Sequence, residues 1–138
     1  FDLHKHVAYL VMEYFPFPNL IDQEIANEEQ MRTIFSEVLT VISFIHERNI
    51  CHRDIKPENI LFDPVTKRVK LIDFGISKRT YLRGQRRDML TIIGTSQYLA
   101  PEILTGGGYD ERVDLWSTGV TLYRMVTGCT PFEAVYHS

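Results

Sequence analysis

The residues best suited to chemistry lie in two short stretches near the middle of the chain. In the first stretch Asp54 is followed by Lys56 and Asn59, and in the second Asp73 stands before Phe74-Gly75. A carboxylate can accept or orient the proton of a hydroxyl group, and a lysine can reach a phosphate as a point charge. Carboxylate and amide oxygens are also ligands that Mg²⁺ prefers. Together these residue types supply what the transfer of a phosphoryl group requires.

Any one of these residues has an ordinary structural explanation, because loop Asp and Asn side chains often satisfy backbone groups. Their order along the chain is more specific: His52-Arg53-Asp54-Ile55-Lys56-Pro57-Glu58-Asn59, then Asp73-Phe74-Gly75, then Ala100-Pro101-Glu102. This order resembles the signature of eukaryotic-type protein kinases, with Ile55 where that signature has Leu. A metal-dependent hydrolase that uses Asp54 and Asp73 is the weakest alternative, because no histidine is spaced with them as a metal ligand.

The composition fits one globular domain and excludes some classes of partner. The chain has 138 residues, of which 44% are hydrophobic, enough for a substantial core. A net charge of −3 gives no electrostatic footprint for nucleic acid. No apolar run approaches the roughly 18 residues of a membrane span, and no cleavable leader is recognisable; because the first residue is Phe1, the natural start could lie further upstream. Cys51 and Cys129 lack metal-ligand spacing, so we expect free thiols and an intracellular, cytoplasmic location.

Two amphipathic helices are predicted to provide most of the core. The first runs from Glu28 to about Arg48, after Asn27, whose side chain can cap it. Its apolar residues recur at three- and four-residue spacing and are predicted to be buried: Met31, Ile34, Phe35, Val38, Val41, Ile42 and Ile45. The second helix covers 113–126 and ends before Gly128. Its candidate buried face consists of Trp116, Val120, Tyr123 and Val126.

The N-terminal part of the chain is predicted to begin with a buried strand over 7–12, because this short run is apolar and rich in strand-forming residues. The prolines in Phe15-Pro16-Phe17-Pro18 cannot continue a strand ladder and therefore end it. Asn19 is then predicted to cap a short helix over 20–25.

Two further strands are predicted over 60–62 and 69–72, joined in a hairpin by the turn residues 63–67. The polar, Arg-rich stretch 78–94 shows no periodicity, and a solvated loop is its expected structure, although its arginines could attract an anion. Short strands mixed with longer helices predict an α+β fold.

The resemblance to protein kinases covers nearly the whole chain and implies nucleotide contacts that spacing alone does not give. Met12 is similar to the residue at the back of the ATP pocket, and Glu13 and Phe15 are similar to the hinge whose backbone binds adenine. Leu61 matches the apolar residue under the adenine ring, and Glu58 is placed in the same nucleotide-binding set. A buried strand would explain Met12 and Leu61 equally well without the family. The implied cofactors are ATP and Mg²⁺.

The catalytic roles that the resemblance implies centre on Asp54, as the base or the group that orients the acceptor hydroxyl. Lys56 would contact the transferring phosphate, while Asn59 and Asp73 would bind the metal. Thr95 resembles the threonine that hydrogen-bonds the catalytic aspartate in serine/threonine kinases, and Lys56 is typical of the same branch.

The segment 73–102 resembles the activation segment of protein kinases, and Thr91 aligns with its usual phosphorylation site. A phosphate on Thr91, added by an upstream kinase, could pair with Arg53 and order the segment; the alternative is an ordinary loop threonine. The runs Tyr109-Asp110-Glu111 and Cys51-His52-Arg53-Asp54 are most similar to calcium/calmodulin-dependent kinases and calcium-dependent plant and protist kinases.

Asp114 resembles the aspartate of the helix that braces the catalytic loop from below. In that arrangement its carboxylate would accept backbone N–H groups from around His52 and Arg53. A buried carboxylate needs such partners, because burying a charge without hydrogen bonds is costly.

The sequence also departs from the family pattern. No glycine-rich phosphate loop precedes the first strand, and no strand lysine with a partnering helix glutamate can be placed. The last helices of the larger kinase lobe are not represented. Asn19 and Arg124 stand where kinases that prefer basic substrates often carry acids, so Arg124 is expected to repel a basic substrate residue.

The resulting prediction is a partial kinase domain over 1–138, mainly the helical C-lobe with the last N-lobe strand and the hinge. Its function would be to transfer the γ-phosphoryl group of ATP to a Ser/Thr hydroxyl of a protein substrate. This polypeptide alone is expected to be inactive. The alternative is a truncated or pseudokinase-like module that binds partners without catalysis.

Overall fold

The structure is a computed structural model that describes residues 9–82 and 85–132. Three α-helices are present in these ranges: α1 (Glu28–His46), α2 (Pro101–Leu104) and α3 (Val113–Thr127). The strands are short and pair only in twos: β1 (Ile50–Cys51) with β4 (Lys78–Arg79), β2 (Ile60–Asp63) with β3 (Arg68–Leu71), and β5 (Tyr81–Leu82) with β6 (Gln85–Arg86). Single 3₁₀ turns lie at Pro57–Asn59 and Ser96–Tyr98. The predicted α+β class is confirmed.

Helix α1 forms where its N-cap and its apolar spacing predict it. The Asn27 side chain accepts a hydrogen bond from the Gln30 N–H at 2.9 Å, and the Gln30 side chain accepts one from the Ala26 N–H at 2.7 Å. Five of the seven predicted core residues are buried, while Met31 and Val41 are half-buried. The helix ends two residues earlier than predicted, because a turn with Asn49 at φ 58° follows it.

The hairpin β2–β3 packs against α1 and completes the main core. Its register pairs Ile60 with Leu71 and Asp63 with Arg68, one residue longer at the turn than predicted. The Asp63 side chain fixes that turn by accepting the N–H groups of Val65 at 2.8 Å and of the next residue at 3.2 Å. Residues of this core come from the turn before α1, α1 itself, the hairpin and the loop between α1 and the hairpin: Leu20, Ile34, Val38, Ile42, Ile55, Ile60 and Phe62.

Helix α3 begins where predicted and ends one residue later, but its predicted buried face is wrong except at Val120. Trp116 is 37% exposed and Val126 67% exposed. The buried face is largely polar and consists of Val113, Asp114, Ser117, Thr118, Val120 and Thr121. These hydroxyls can be buried because each has a partner; the Ser117 hydroxyl, for example, donates to the Tyr98 carbonyl at 2.7 Å. Gly128, at φ 82°, ends the helix as predicted.

Two predictions near the N-terminus are wrong. Of the predicted strand 7–12, residues 7 and 8 lie outside the described residues, and Tyr9 to Met12 are exposed and form no strand. Among residues 9–82 and 85–132 no strand pairs with this run, so it has neither a ladder nor a core face. The helix predicted over 20–25 is absent from the described chain because Asn19 forms a tight turn instead, accepting the N–H groups of Ile21 and Asp22.

The stretch 78–94 was predicted to be an unstructured loop, which is wrong for its described part. Besides β4, β5 and β6, Met89 and Tyr109 exchange a pair of backbone hydrogen bonds of 2.9 and 3.0 Å. Arg86 pairs with Asp110 and Glu111 at 3.0 Å. Arg83 lies outside the described residues. Within the part of the chain that is described, no helix is long and apolar enough to cross a membrane.

Candidate active site

Four of the predicted catalytic residues form one hydrogen-bonded cluster around the Asp54 carboxylate. Its Oδ1 accepts the Thr95 hydroxyl at 2.7 Å and the Thr95 N–H at 3.2 Å. Its Oδ2 accepts the Asn59 side-chain amide at 2.9 Å and lies 2.9 Å from Lys56 Nζ. Lys56 Nζ also donates to the Thr95 hydroxyl at 2.8 Å, so each member is held by at least two bonds. The predicted contact between Thr95 and Asp54 is therefore confirmed.

Asp54 is held in its ionised form. Partial burial raises the pKa of its carboxyl group, but the hydrogen bond from Thr95 and the bonds and charge of Lys56 outweigh it and lower the pKa below its ordinary value. A carboxylate with a lowered pKa is a weak base in the resting protein. Its oxygens are therefore better suited to orienting an acceptor hydroxyl than to removing its proton before the reaction begins.

Thr95 approaches the loop of Asp54 because Gly94 precedes it. Gly94 has φ 122°, a conformation that favours glycine, and a Cβ atom at this position would lie 2.7 Å from the Arg53 carbonyl oxygen. Any side chain here would push the segment 91–95 away from the loop. The glycine is therefore part of what positions Thr95.

The Asp114 carboxylate holds the backbone of the same loop from the other side. It is fully buried and accepts the His52 N–H at 2.8 Å and the Arg53 N–H at 2.9 Å, as predicted. His46 Nε2 lies 2.8 Å from the same carboxylate, a contact that was not predicted. These bonds fix Arg53 at φ 70°, in the left-handed region that non-glycine residues rarely adopt. The turn of the chain just before Asp54 is thus imposed by α3.

The His52 ring connects the loop to the second chemical stretch. Burial lowers the pKa of the ring below its ordinary value, so the imidazole is neutral. Nε2 donates to the Ile72 carbonyl at 2.9 Å, which leaves Nδ1 to accept the Asp54 N–H at 3.2 Å. The ring also packs edge-on against Phe74, with 4.7 Å between centroids. His52 therefore positions both Asp54 and the residues around Asp73.

The predicted metal ligands, Asn59 and Asp73, lie on neighbouring stretches of backbone and each has an oxygen that could bind Mg²⁺. The Ile72 N–H donates to the Asn59 carbonyl at 2.9 Å, which places Asp73 one residue from the backbone of Asn59. The side-chain NH₂ group of Asn59 donates to the carbonyl and to the carboxylate of Asp54, so the side-chain oxygen of Asn59 can serve as a ligand. Asp73 is exposed, at φ 61°, and one of its oxygens accepts the Gly75 N–H at 3.2 Å. Two protein oxygens suit Mg²⁺ that is bound together with nucleotide phosphates.

The predicted nucleotide-binding residues are only partly brought together. Glu13 forms an ion pair with Lys70, and Lys70 Nζ also lies 5.3 Å above the ring of Phe15. Lys70 is the register partner of Leu61, so the side chains of these two residues lie on the same face of the hairpin β2–β3. Met12 is 73% exposed.

Glu58, which was predicted in the same nucleotide-binding set, pairs with a residue of α3: its Oε1 accepts a hydrogen bond from Arg124 Nη1 at 3.1 Å. Arg124 also donates to the Tyr98 hydroxyl. The sequence contained no signal for this three-residue group, because its members are 26 to 66 positions apart.

Arg53 and Thr91 are linked through a residue that was not predicted. Arg53 donates to the Ile76 carbonyl at 2.7 Å and to the Tyr109 hydroxyl at 3.3 Å. The Tyr109 hydroxyl in turn donates to the Thr91 carbonyl at 2.7 Å. The exposed side chain of Thr91 thus lies on a segment that Tyr109 holds beside Arg53.

Comparisons with known proteins agree with this geometry. The family described as protein kinase domain matches residues 2–138. The serine/threonine-protein kinase AtPK2/AtPK19 of Arabidopsis thaliana is 40% identical over 132 residues, covering 93% of this chain and 27% of the relative. The rice serine/threonine-protein kinase SAPK1 is 41% identical over 134 residues (93% and 38%). The yeast DNA damage response protein kinase DUN1 is 37% identical over 147 residues (91% and 28%). The chain thus spans between about a quarter and two fifths of these relatives.

Proposed function

Since the chain belongs to the protein kinase family, we propose that it forms the catalytic-loop part of a serine/threonine protein kinase. The reaction would transfer the γ-phosphoryl group of Mg·ATP to a Ser or Thr hydroxyl of a protein substrate. The observation that carries this proposal is the cluster of Asp54, Lys56, Asn59 and Thr95. The names of the relatives described above support the same activity.

In this proposal the contacts within the cluster position each residue for its role. Asp54, ionised, accepts the hydrogen bond of the acceptor hydroxyl and orients its oxygen. Lys56, which is 22% exposed, can turn its ammonium group toward the transferring phosphate while Thr95 keeps it beside Asp54. Asn59 and Asp73 would hold Mg²⁺, which neutralises charge on the phosphates.

The direct test is Asp54→Asn in the complete protein. The neutral amide keeps the shape but loses the charge that orients the hydroxyl, so we expect turnover to fall by roughly two orders of magnitude or more while Mg·ATP still binds. Asp22→Asn is the matched control, because Asp22 is exposed and bonded only to Asn19 among the described residues. Unchanged turnover in Asp54→Asn would rule out the proposed role.

The same two proteins, wild type and Asp54→Asn, also test the alternative of a binding module without catalysis. It predicts no phosphoryl transfer by the wild type to any Ser/Thr peptide, and no difference between wild type and Asp54→Asn. Calorimetric titration with Mg·ATP adds a second criterion, because a module that has lost its site would not release heat with the nucleotide.

We also propose that Thr91 is phosphorylated by an upstream kinase and that the phosphate pairs with Arg53. Support comes from the chain of contacts from Arg53 through Tyr109 to the Thr91 carbonyl, which keeps the exposed side chain near this cation. Charge-assisted bonds of this kind would order the segment further. A phosphopeptide map of active protein that lacks phosphate on Thr91 would remove this proposal.

The narrower assignment to calcium/calmodulin-dependent kinases depends on two short sequence runs, Tyr109-Asp110-Glu111 and Cys51-His52-Arg53-Asp54. It predicts that calcium with calmodulin, or calcium alone, stimulates the complete protein. Free thiols at Cys51 and Cys129 support the further proposal of a cytoplasmic location.

A further inference from the structure

Tyr109 lies between the catalytic loop and the segment 91–95, and the chemistry proposed above gives it no role. Its hydroxyl accepts a hydrogen bond from Arg53 Nη1 at 3.3 Å and donates one to the Thr91 carbonyl at 2.7 Å. Its backbone exchanges two hydrogen bonds of 2.9 and 3.0 Å with Met89, which precedes the same segment. One residue thus connects the loop with the segment.

The ring of Tyr109 is fixed by its packing, so its hydroxyl has a defined position. Tyr109 is only 5% exposed and belongs to a buried cluster that is separate from the main core. The other buried members of this cluster are Cys51, Met89, Ala100, Ile103 and Val113. Little side-chain entropy is lost when a ring held in this way forms a hydrogen bond. Phenylalanine at this position would keep the packing and lose only the hydroxyl.

Arg53, on the other side of the hydroxyl, is equally well held. Its backbone N–H donates to the Asp114 carboxylate at 2.9 Å, and its guanidinium group donates to the Ile76 carbonyl at 2.7 Å. Arg53 also directly precedes Asp54 in the chain. The hydroxyl of Tyr109 therefore keeps the segment 91–95 at a fixed place relative to the backbone that carries Asp54.

The segment 91–95 depends on hydrogen bonds because apolar packing contributes little to it. The side chain of Thr91 is exposed and Ile92 is 59% exposed. At its far end the Thr95 hydroxyl donates to Asp54 at 2.7 Å. At its near end the Thr91 carbonyl accepts the hydroxyl of Tyr109. Segments with few buried apolar contacts open easily, so each of these two attachments matters.

Arg86 provides a second connection to the same region, but a weaker one. It pairs with Asp110 and Glu111 at 3.0 Å, and its own side chain is 56% exposed. Ion pairs at such exposed positions contribute little to stability. The hydroxyl of Tyr109 is shielded from solvent, where a hydrogen bond is stronger. Of the two connections, that of Tyr109 should have the larger effect.

We propose that the Tyr109 hydroxyl is a positioning group for the reaction. It holds the segment 91–95 against the catalytic loop, so that Thr95 lies beside Asp54 before any phosphate is attached to Thr91. This inference rests on the proposed function, because the residues it positions are those of the proposed cluster. The phosphate proposed for Thr91 would then strengthen an existing attachment instead of creating a new one.

The test removes the hydroxyl alone, by Tyr109→Phe in the complete protein that also carries Thr91→Ala, so that no phosphate can replace the lost contact. A hydrogen bond of this kind changes an equilibrium by about three- to tenfold. The Thr95 N–H donates to Asp54, so its hydrogen exchange reports how often the segment opens. This exchange should be about three- to tenfold faster than in Thr91→Ala alone. Exchange in α1 should change by less than about twofold, whereas a global loss of stability would accelerate it as well.

Phosphorylation of a serine peptide by the same two proteins is the second readout. The added Tyr109→Phe should lower kcat by at least about twofold, because Thr95 is then less often beside Asp54. The KM for Mg·ATP should stay within about twofold, since the proposed metal ligands are not bonded to Tyr109. A general loosening of the site would raise this KM as well.

Two further variants serve as controls. Tyr123→Phe removes a hydroxyl from a tyrosine of α3 that is 45% exposed, and it should change exchange and kcat by less than about twofold. Arg86→Gln removes the exposed ion pairs and should also have an effect below about twofold. The inference is overturned if Tyr109→Phe accelerates exchange at Thr95 no more than these controls do. Faster exchange without a loss of kcat in an active protein would overturn it too.

Failure of this inference can be told apart from failure of the proposed function, because hydrogen exchange does not require activity. If no peptide is phosphorylated, even by the wild type, but Tyr109→Phe accelerates exchange at Thr95, the proposed catalysis fails and the attachment through Tyr109 stands. If peptides are phosphorylated and neither exchange nor kcat responds to Tyr109→Phe, the proposed catalysis stands and the role of Tyr109 fails.

Discussion

The catalytic loop and the N-terminal run 9–15 differ in how completely the described chain supports them. In the loop, the backbone N–H groups of His52 and Arg53 and the side chain of Asp54 all have partners on other elements. In the run, Val11 is 93% exposed and Met12 73% exposed, although both are apolar. The comparison teaches that a site can be completely positioned at one side while apolar residues predicted to pack at its other side, here 9–12, are exposed.

A large effect on stability is expected from breaking the support of the loop at Asp114. In Asp114→Asn an amide group replaces one carboxylate oxygen, so at least one of the three donors around it loses its acceptor in a fully buried place. Leaving such groups unsatisfied should lower the free energy of unfolding by about 3 kcal/mol. Chemical denaturation measures this change in the free energy of unfolding. The control Asp22→Asn, at an exposed residue, should change it by less than about 0.5 kcal/mol. Equal values for the two variants would contradict the role of Asp114.

A smaller loss of stability is expected when the pH falls, because the buried ring of His52 becomes protonated. Burial lowers the pKa of its ring in the folded protein, so the unfolded chain takes up the proton first as pH falls. The stability contributed by the neutral ring is present above the unfolded value of about 6.5 and is lost as pH falls toward the lower folded pKa. Protonation would also replace the Nδ1 acceptor of the Asp54 N–H by a donor.

The measurement is the free energy of unfolding between pH 7 and pH 5 for wild type and His52→Leu. The variant is less stable at pH 7, but its stability should fall less over this interval, because it has no buried ring to protonate. Subtracting the free energy of unfolding of one protein from that of the other at each pH cancels the contribution of the remaining histidines. Parallel curves would show that His52 does not titrate differently on folding.

The features that could be predicted from the sequence are those whose cause lies within a few residues. Asn27 caps α1 through a residue three positions away, and Asp63 fixes a turn through residues two and three positions away. The same holds for Gly128 at the end of α3. The order of motifs also identified Asp54, Lys56, Asn59 and Thr95, which the fold brings into one cluster.

The features that were missed depend on partners far along the chain. Periodicity favoured the large apolar residues of α3 as its buried face, whereas hydroxyls such as that of Ser117 are buried because distant groups satisfy them. His46 contacts Asp114 across 68 positions, and Arg124 contacts Glu58 across 66. No local pattern encodes such pairs. For the run 7–12, an apolar sequence was sufficient to predict a strand but could not show what it would pair with.

The smallest expected effect comes from the N-terminal run and makes the comparison quantitative. Met12→Ala removes an exposed side chain and should change the free energy of unfolding by less than about 0.5 kcal/mol. Ile42→Ala, in the core under the catalytic loop, should cost about 2–5 kcal/mol, because it leaves a cavity. Thermal or chemical denaturation of both variants measures the contrast. A cost for Met12→Ala as large as that for Ile42→Ala would mean that the run packs against a surface, and the site would then be supported on both sides.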